Sequence, residues 1–235
     1  MRNFITLSYS DFRSTFRDPI FKGLLLFPFF AFALIRFVLP AVVEEFPEVE
    51  QFTAVILMWA CLQSATMFGF IYGFLFLEEK EENLWQALKI LPVSSLKLVL
   101  SRLALGLCVS TIVNYCMIRF GNVIQVDFIK ELLLAVHFSL AAPLIALYIA
   151  ALAKNRIEGL AQMKIVNLLL ILPAFIYFFP YDALHLTAVI PTYWSFRSLE
   201  MATTGENFLV FYLAGLFFYL LFILLLNNKL NKTLA

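Results

Sequence analysis

Residues 52–77 read FTAVILMWACLQSATMFGFIYGFLFL, an unbroken run without one charged side chain. As a helix such a run extends about 39 Å, more than the roughly 30 Å hydrocarbon layer of a bilayer. Its apolar residues fall on every side, which excludes a one-faced surface helix and the period-two alternation of a barrel strand. Lipid satisfies no backbone hydrogen bonds, so a segment like this must be a membrane-spanning helix. Working outward, five further predominantly apolar runs of membrane-spanning length occupy residues 24–43, 96–118, 132–153, 160–179 and 208–226. The expected fold is an all-α integral membrane protein with six transmembrane helices.

Composition agrees. The 235 residues are 63% hydrophobic and 14% charged, against about 25% charged in a typical soluble domain. The spans leave too little chain for a separate soluble catalytic domain. A net charge of +1 gives no electrostatic footprint for nucleic acid. Cys61, Cys108 and Cys116 all fall inside apolar runs and read as small packing residues, with neither a disulfide framework nor a metal site. Arg13, Arg17, Asp18 and Lys22 precede a first run of membrane length, so the N-terminus does not read as a cleavable signal.

Orientation follows from the cations. Arg2, Arg13, Arg17, Lys22, Lys80, Lys89, Lys97, Arg102, Lys154, Arg156, Lys164, Lys229 and Lys232 fall on one side, and only Arg119, Lys130 and Arg197 on the other. That imbalance predicts a multi-pass protein of the cell (inner or plasma) membrane with both termini cytoplasmic. Glu44, Glu45, Glu48 and Glu50 fill the first outer loop.

Two segments outside the spans carry pattern. Ile5, Tyr9, Phe12 and Phe16 repeat at spacings of four, three and four, flanked by Arg13 and Arg17. This predicts an amphipathic helix in the headgroup plane over residues 1–22, ended by Asp18-Pro19; the alternative is a plain basic flank. Residues 78–94 read EEKEENLWQALKILPVS. Glu78, Glu79, Glu81 and Glu82 suit a helix N-terminus, where the dipole favours negative charge. Leu84, Leu88 and Leu91 then fall on one face beside Trp85, and Pro92 stops the helix. The prediction is a short cytoplasmic helix over about 78–92 whose charge-rimmed apolar face docks a partner; the alternative is a solvated turn lying on the membrane.

These residues resemble a known family. Asp11-Phe12-Arg13 and Arg17-Asp18-Pro19 resemble the connecting helix of ABC type-2 export permeases, and Glu79-Lys80-Glu81, Leu88 and Pro92-Val93-Ser94 resemble their signature cytoplasmic loop. Asn83, Leu84 and Leu91 stand where that pattern usually has glycine, threonine and threonine. Asn155-Arg156-Ile157-Glu158-Gly159, continuing to Lys164, and Pro191-Thr192-Tyr193-Trp194 are similar to fluoroquinolone-export-type permeases. The resemblance implies a six-helix permease domain over 23–235, with a coupling helix that seats in a separate ATP-hydrolysing subunit. It also implies short re-entrant or interfacial helices over about 180–207 capping the outer end, where the residues alone allow an ordinary interfacial loop. ATP and Mg would be bound by that partner ATPase and no cofactor by this chain, since a phosphate-cradling loop needs a Gly-Lys pair and none occurs here. Six spans make half of a usual exporter pathway, so a second permease copy, most simply a homodimer, is expected.

Within the spans, Cys61, Ala65, Gly69 and Gly73 form a ribbon of small residues suited to close helix approach. Gln63, Ser64, Thr66, Gly69, Gly73 and Asn114 are candidates for packing or for lining a translocation pathway. Arg36 reads as snorkelling outward or pairing with Glu44 or Glu45. His137 and His185 read as structural residues ahead of ligands or proton relays, and Pro143 and Pro173 as kinks. Span interiors hold no Asp or Glu to support intramembrane hydrolysis. The function expected is ATP-driven export of a hydrophobic or amphipathic small molecule, drug-like or lipid-like, by alternating access. The alternative is a non-transporting membrane sensor or immunity-like protein sharing the fold.

Overall fold

The computed structural model describes residues 19–82, 95–179, 181–205 and 207–234, and within them the chain is helical, without a strand. The expected amphipathic helix carrying Ile5, Tyr9, Phe12, Arg13, Phe16 and Arg17 lies outside the described residues, as does the segment from Leu84 to Pro92. Six helices are long and apolar enough to cross a membrane: Phe21–Glu45, Pro47–Glu81, Val99–Gly121, Phe128–Leu152, Arg156–Tyr177 and Phe208–Leu230. Each overlaps one of the six runs read from the sequence. The chain is a multi-pass membrane protein.

Span one is built from α1 (Pro19–Ala33), a π-helical turn (Leu34–Val38) and α2 (Leu39–Glu45), and span two is α3 (Thr53–Glu81). Span three is α4 (Ser95–Gly121), span four is α5 (Phe128–Ser139) followed by α6 (Ala141–Leu152), and span five is α7 (Arg156–Ile171) with a 3-10 turn (Leu172–Tyr177). A second 3-10 segment (Asp182–Val189) leads into α8 (Pro191–Thr204), and α9 (Phe208–Leu234) is span six. Spans two and four are buried along most of their length, while the other four turn Phe29, Phe37, Ile112, Leu168, Leu213 and Phe217 outward. Greasy outward faces are what a bundle surrounded by lipid requires.

Close packing of α3 on α6 makes the centre. Apolar burial supplies little drive between helices already in lipid, so shape and backbone proximity decide association. A Cβ on Gly69 would meet the Ala142 carbonyl oxygen and Ile145 Cβ at 2.8 Å, and one on Gly73 would meet Ile149 Cβ at 3.0 Å. Gly69 and Gly73 of the small-residue ribbon therefore lie in the seam along which spans two and four touch.

Prolines set where the helices break. Pro143 carries no N–H and its ring crowds the carbonyl four residues back, that of Ser139. Span four accordingly divides at Leu140, between α5 and α6. Pro173 likewise turns the end of span five from α to 3-10 geometry. Pro40 has a related effect the sequence reading did not anticipate: the helix widens just before it, with the Leu39 amide reaching back to the Leu34 carbonyl.

The capping segment folds back into the bundle. In α8, Trp194 stacks on Phe218 at 5.6 Å and the Ser195 and Tyr219 hydroxyls lie 3.2 Å apart, while Trp194 also meets Phe211 at 6.0 Å. Tyr219 is eleven residues into α9, about 16 Å from its start at 1.5 Å per residue. The chain thus passes through Asp182–Val189 and returns in α8, which packs beside the first half of α9. Thr192 donates to the Leu170 carbonyl at 2.6 Å, tying α8 to span five.

Contacts fix the two ends of the bundle. The basic end gathers Phe21, residues 78–82, Arg102 and residues 153–158; the far end gathers Gly121 against Ile35 and Phe52 stacked on Phe178 at 5.3 Å.

A methyl group added at the seam should act as overpacking, which costs about 1–3 kcal/mol. Gly69→Ala is expected to lower the thermal midpoint of the detergent-solubilised protein more than Gly73→Ala. Gly23→Ala, where nothing lies within 4 Å of the added Cβ, is expected to leave it unchanged. Fluorescence-detected size-exclusion chromatography after heating measures all three.

Candidate coupling and translocation site

At the basic end, Glu78, Glu79, Lys80 and Glu81 form the last turn of α3. The carboxylates do not open a new helix, as their number led one to expect; span two continues through them. Acidic groups at a helix C-terminus face the negative end of the dipole, and cations and donors from neighbouring elements offset that penalty. Arg102 of α4 reaches Glu79 at 2.6 Å, with the two side chains only 4% and 17% exposed, and lies 5.5 Å above the Phe76 ring. Lys80 Nζ donates to the Ala153 carbonyl at 3.1 Å, just beyond the end of α6.

Arg156, at the start of α7, donates its backbone N–H to Glu81 at 2.7 Å and pairs its guanidinium with Glu78 at 3.1 Å. The same guanidinium lies 6.0 Å from the Phe21 ring of span one. Its position is set by a local cap: the Asn155 side chain accepts from the Glu158 amide at 2.9 Å, and the Glu158 carboxylate accepts from the Lys154 amide at 3.0 Å. This reciprocal arrangement is close to a capping box. Glu82 is exposed at the end of α3. Leu84, Trp85, Leu88, Leu91 and Pro92 follow outside the described residues.

The polar residues singled out inside the spans go to separate places. Gln63 exchanges two amide hydrogen bonds with Asn167, at 2.9 and 3.3 Å, joining spans two and five. Thr66 donates to the carbonyl of Leu62, four residues back in its own helix, at 2.7 Å. Ser64 is buried without a hydrogen-bond partner for its hydroxyl. Asn114 donates to Ser139 at 3.0 Å, and Ser139 donates to the Ala135 carbonyl at 2.6 Å, joining spans three and four beside the Leu140 break. Gly69 and Gly73 lie in the α3–α6 seam.

His137 is fully buried with no hydrogen-bond partner for either ring nitrogen. Its ring is held by Tyr212 at 4.9 Å and Tyr219 at 5.7 Å, and Gly215 leaves the space it fills. His137 is thus a structural residue held by ring packing rather than by hydrogen bonds. His185 instead shares a hydrogen bond of 2.8 Å with the Tyr193 hydroxyl. Among the described residues no ion pair joins Arg36 to Glu44 or Glu45. Cys108 faces outward, unlike the buried Cys61.

A groove that the sequence reading missed lies between spans two and five. Val55, Ile56, Trp59, Ile171, Ala174, Phe175 and Phe178 line a cavity of about 370 Å³ open to the bundle surface. That is the size and apolar character of a small-molecule site. Trp59 is braced edge-on by Phe27 at 6.2 Å, and the 3-10 turn after Pro173 presents Phe175 and Phe178. A tryptophan interrupting an aliphatic run opposite a helix-breaking proline was the available signal. The lining offers apolar and aromatic contact and no charge. At the far end Glu200 accepts from the Tyr177 hydroxyl at 2.9 Å and from Arg197 at 2.7 Å, beside a smaller polar pocket.

The sequence profile described as "Fluoroquinolones export permease protein Rv2686c-like" matches residues 11–227. Two proteins of Mycobacterium tuberculosis are 24% identical over 202 residues, 83% of this chain and 80% of theirs. They are the Fluoroquinolones export permease protein MT2760 of strain CDC 1551 / Oshkosh and the Fluoroquinolones export permease protein Rv2686c of strain ATCC 25618 / H37Rv. No solved structure matches the chain.

The Gln63–Asn167 pair gives a clean test of the span two to span five contact. Stranding one buried amide costs about 1–3 kcal/mol, whereas replacing both partners by apolar groups is nearly neutral. Gln63→Leu should lower the thermal midpoint, and Gln63→Leu with Asn167→Leu should recover most of the loss, by the same heated size-exclusion assay.

Proposed function

The chain belongs to the Rv2686c-like fluoroquinolone export permease family, and on that premise we propose that it is the membrane-spanning subunit of an ATP-driven ABC exporter. In this reading ATP and Mg bind a separate ATPase subunit and no cofactor binds this chain. Both termini are cytoplasmic, as the cation imbalance favours. Residues 1–22 form the interfacial connecting helix, and Leu84, Trp85, Leu88, Leu91 and Pro92 form the docking face for the ATPase. One observation carries the reading: the charged end of α3, bound to its neighbours, hands the chain directly to that amphipathic stretch at the end of the bundle where lysine and arginine crowd.

A second copy of the chain completes the pathway, most simply as a twofold dimer, with the groove beside Trp59 facing it so that two half-sites join. The cargo is a hydrophobic or amphipathic small molecule, for which the fluoroquinolone named in the relatives is the first candidate. Transport runs by alternating access: ATP-driven closure of the partner subunits pulls the docking segments, and the cargo leaves because its affinity differs between the two states. The alternative, a non-transporting sensor of the same fold, predicts no cargo-stimulated hydrolysis by the complex.

Two experiments test the proposal. Trp85→Ala with Leu88→Asp should leave membrane insertion intact and abolish co-purification of the ATPase along with export; unchanged export would remove the docking role. Trp59→Ala should reduce efflux of a fluoroquinolone, followed by its intrinsic fluorescence, at least fivefold while the ATPase still co-purifies. Equal efflux from parent and variant would place the pathway elsewhere.

A further inference from the structure

Consecutive residues of a helix point 100° apart, so four in a row sweep the full circle around its axis. At the end of α3 each of the four is held. Glu78 and Glu81, three residues apart and hence on one side, both meet Arg156 at the start of α7. Glu79 meets Arg102 of α4 on a second side, and Lys80 meets the Ala153 carbonyl beyond α6 on a third. The end of span two is therefore gripped by spans three, four and five, and Arg156 also touches span one through the Phe21 ring.

We propose that this ring of contacts is a transmission collar, with Arg102 and Arg156 as its positioning residues. It makes the basic ends of spans two to five one rigid body, so that displacement of the docking segment beginning at Asn83 reaches the whole bundle rather than span two alone. The proposal rests on the reading of that segment as the ATPase seat. The Arg102–Glu79 pair carries most of the rigidity, because its two side chains, 4% and 17% exposed, are the most withdrawn from solvent of the collar's ion pairs. Glu79 and Glu81 thereby act inward, on the bundle, and the docking face proper begins at Leu84.

Two measurements test the collar. The first needs no ATPase: spin labels at the exposed positions Glu82 and Lys154, in a chain with Cys61, Cys108 and Cys116 replaced by alanine, report the distance across it. A single narrow distribution is expected for the parent, and at least a doubling of its width for Arg156→Ala. A broad parental distribution, or no change in the variant, overturns the collar.

The second uses the permease with its ATPase in membranes. Arg102→Glu is expected to reduce fluoroquinolone export at least tenfold while ATP hydrolysis stays within twofold. The exchange Glu79→Arg with Arg102→Glu, which rebuilds the pair reversed, should return export to within threefold of the parent. Normal export by Arg102→Glu overturns the proposal, as does failure of the exchange variant when it accumulates at parental levels. Parallel loss of hydrolysis and export also overturns it, because the pair would then belong to the ATPase seat. If no ATPase associates with the parent, the proposed function falls and transmission with it, whereas a narrow parental distance that widens in Arg156→Ala still establishes the rigid joint.

Discussion

The structure depends on how closely α3 and α6 approach. Neither helix has anything to gain from hiding apolar surface that lipid would cover equally well, so their association rests on contact between backbones. Gly69 and Gly73 permit that contact, and the Ala142 carbonyl and the Ile145 and Ile149 side chains occupy the space their missing side chains leave. Around this pair the other four spans need only one packed face each, which is why their remaining surfaces carry leucine and phenylalanine outward. Polar links then fix the order of neighbours: Gln63 to Asn167, and Asn114 to Ser139.

Much of this was legible in the residues. The six spans follow from hydrophobic length alone, because a lipid-embedded helix must be apolar for a fixed distance whatever its neighbours are. The glycine ribbon and the breaks at Pro143 and Pro173 are likewise local properties, of missing side chains and of a missing N–H. The end of span two was not legible. Three glutamates and a lysine after Leu77 look like the polar start of a new helix, since the cations that make them acceptable at a helix end stand far along the chain, at Arg102 and Arg156.

The same limit applies to the groove and to His137. Trp59 and Phe175 are over a hundred residues apart, and no period within either run says that they share a cavity. A lone buried imidazole normally finds a hydrogen-bond partner. What holds His137 is instead a slot between two tyrosines and a glycine of another span. Pairings across the bundle, rather than patterns along it, are what the sequence leaves open.

The interruption at Leu140 has a mechanical consequence. It divides span four into a half welded to α3 and a half fastened to α4 through Asn114 and packed against α8. Helices bend most easily where the backbone ladder is already missing a rung. Span four thus has a landing at Leu140, where its two halves can change their mutual angle while the unbroken α3 beside them carries a displacement along the bundle.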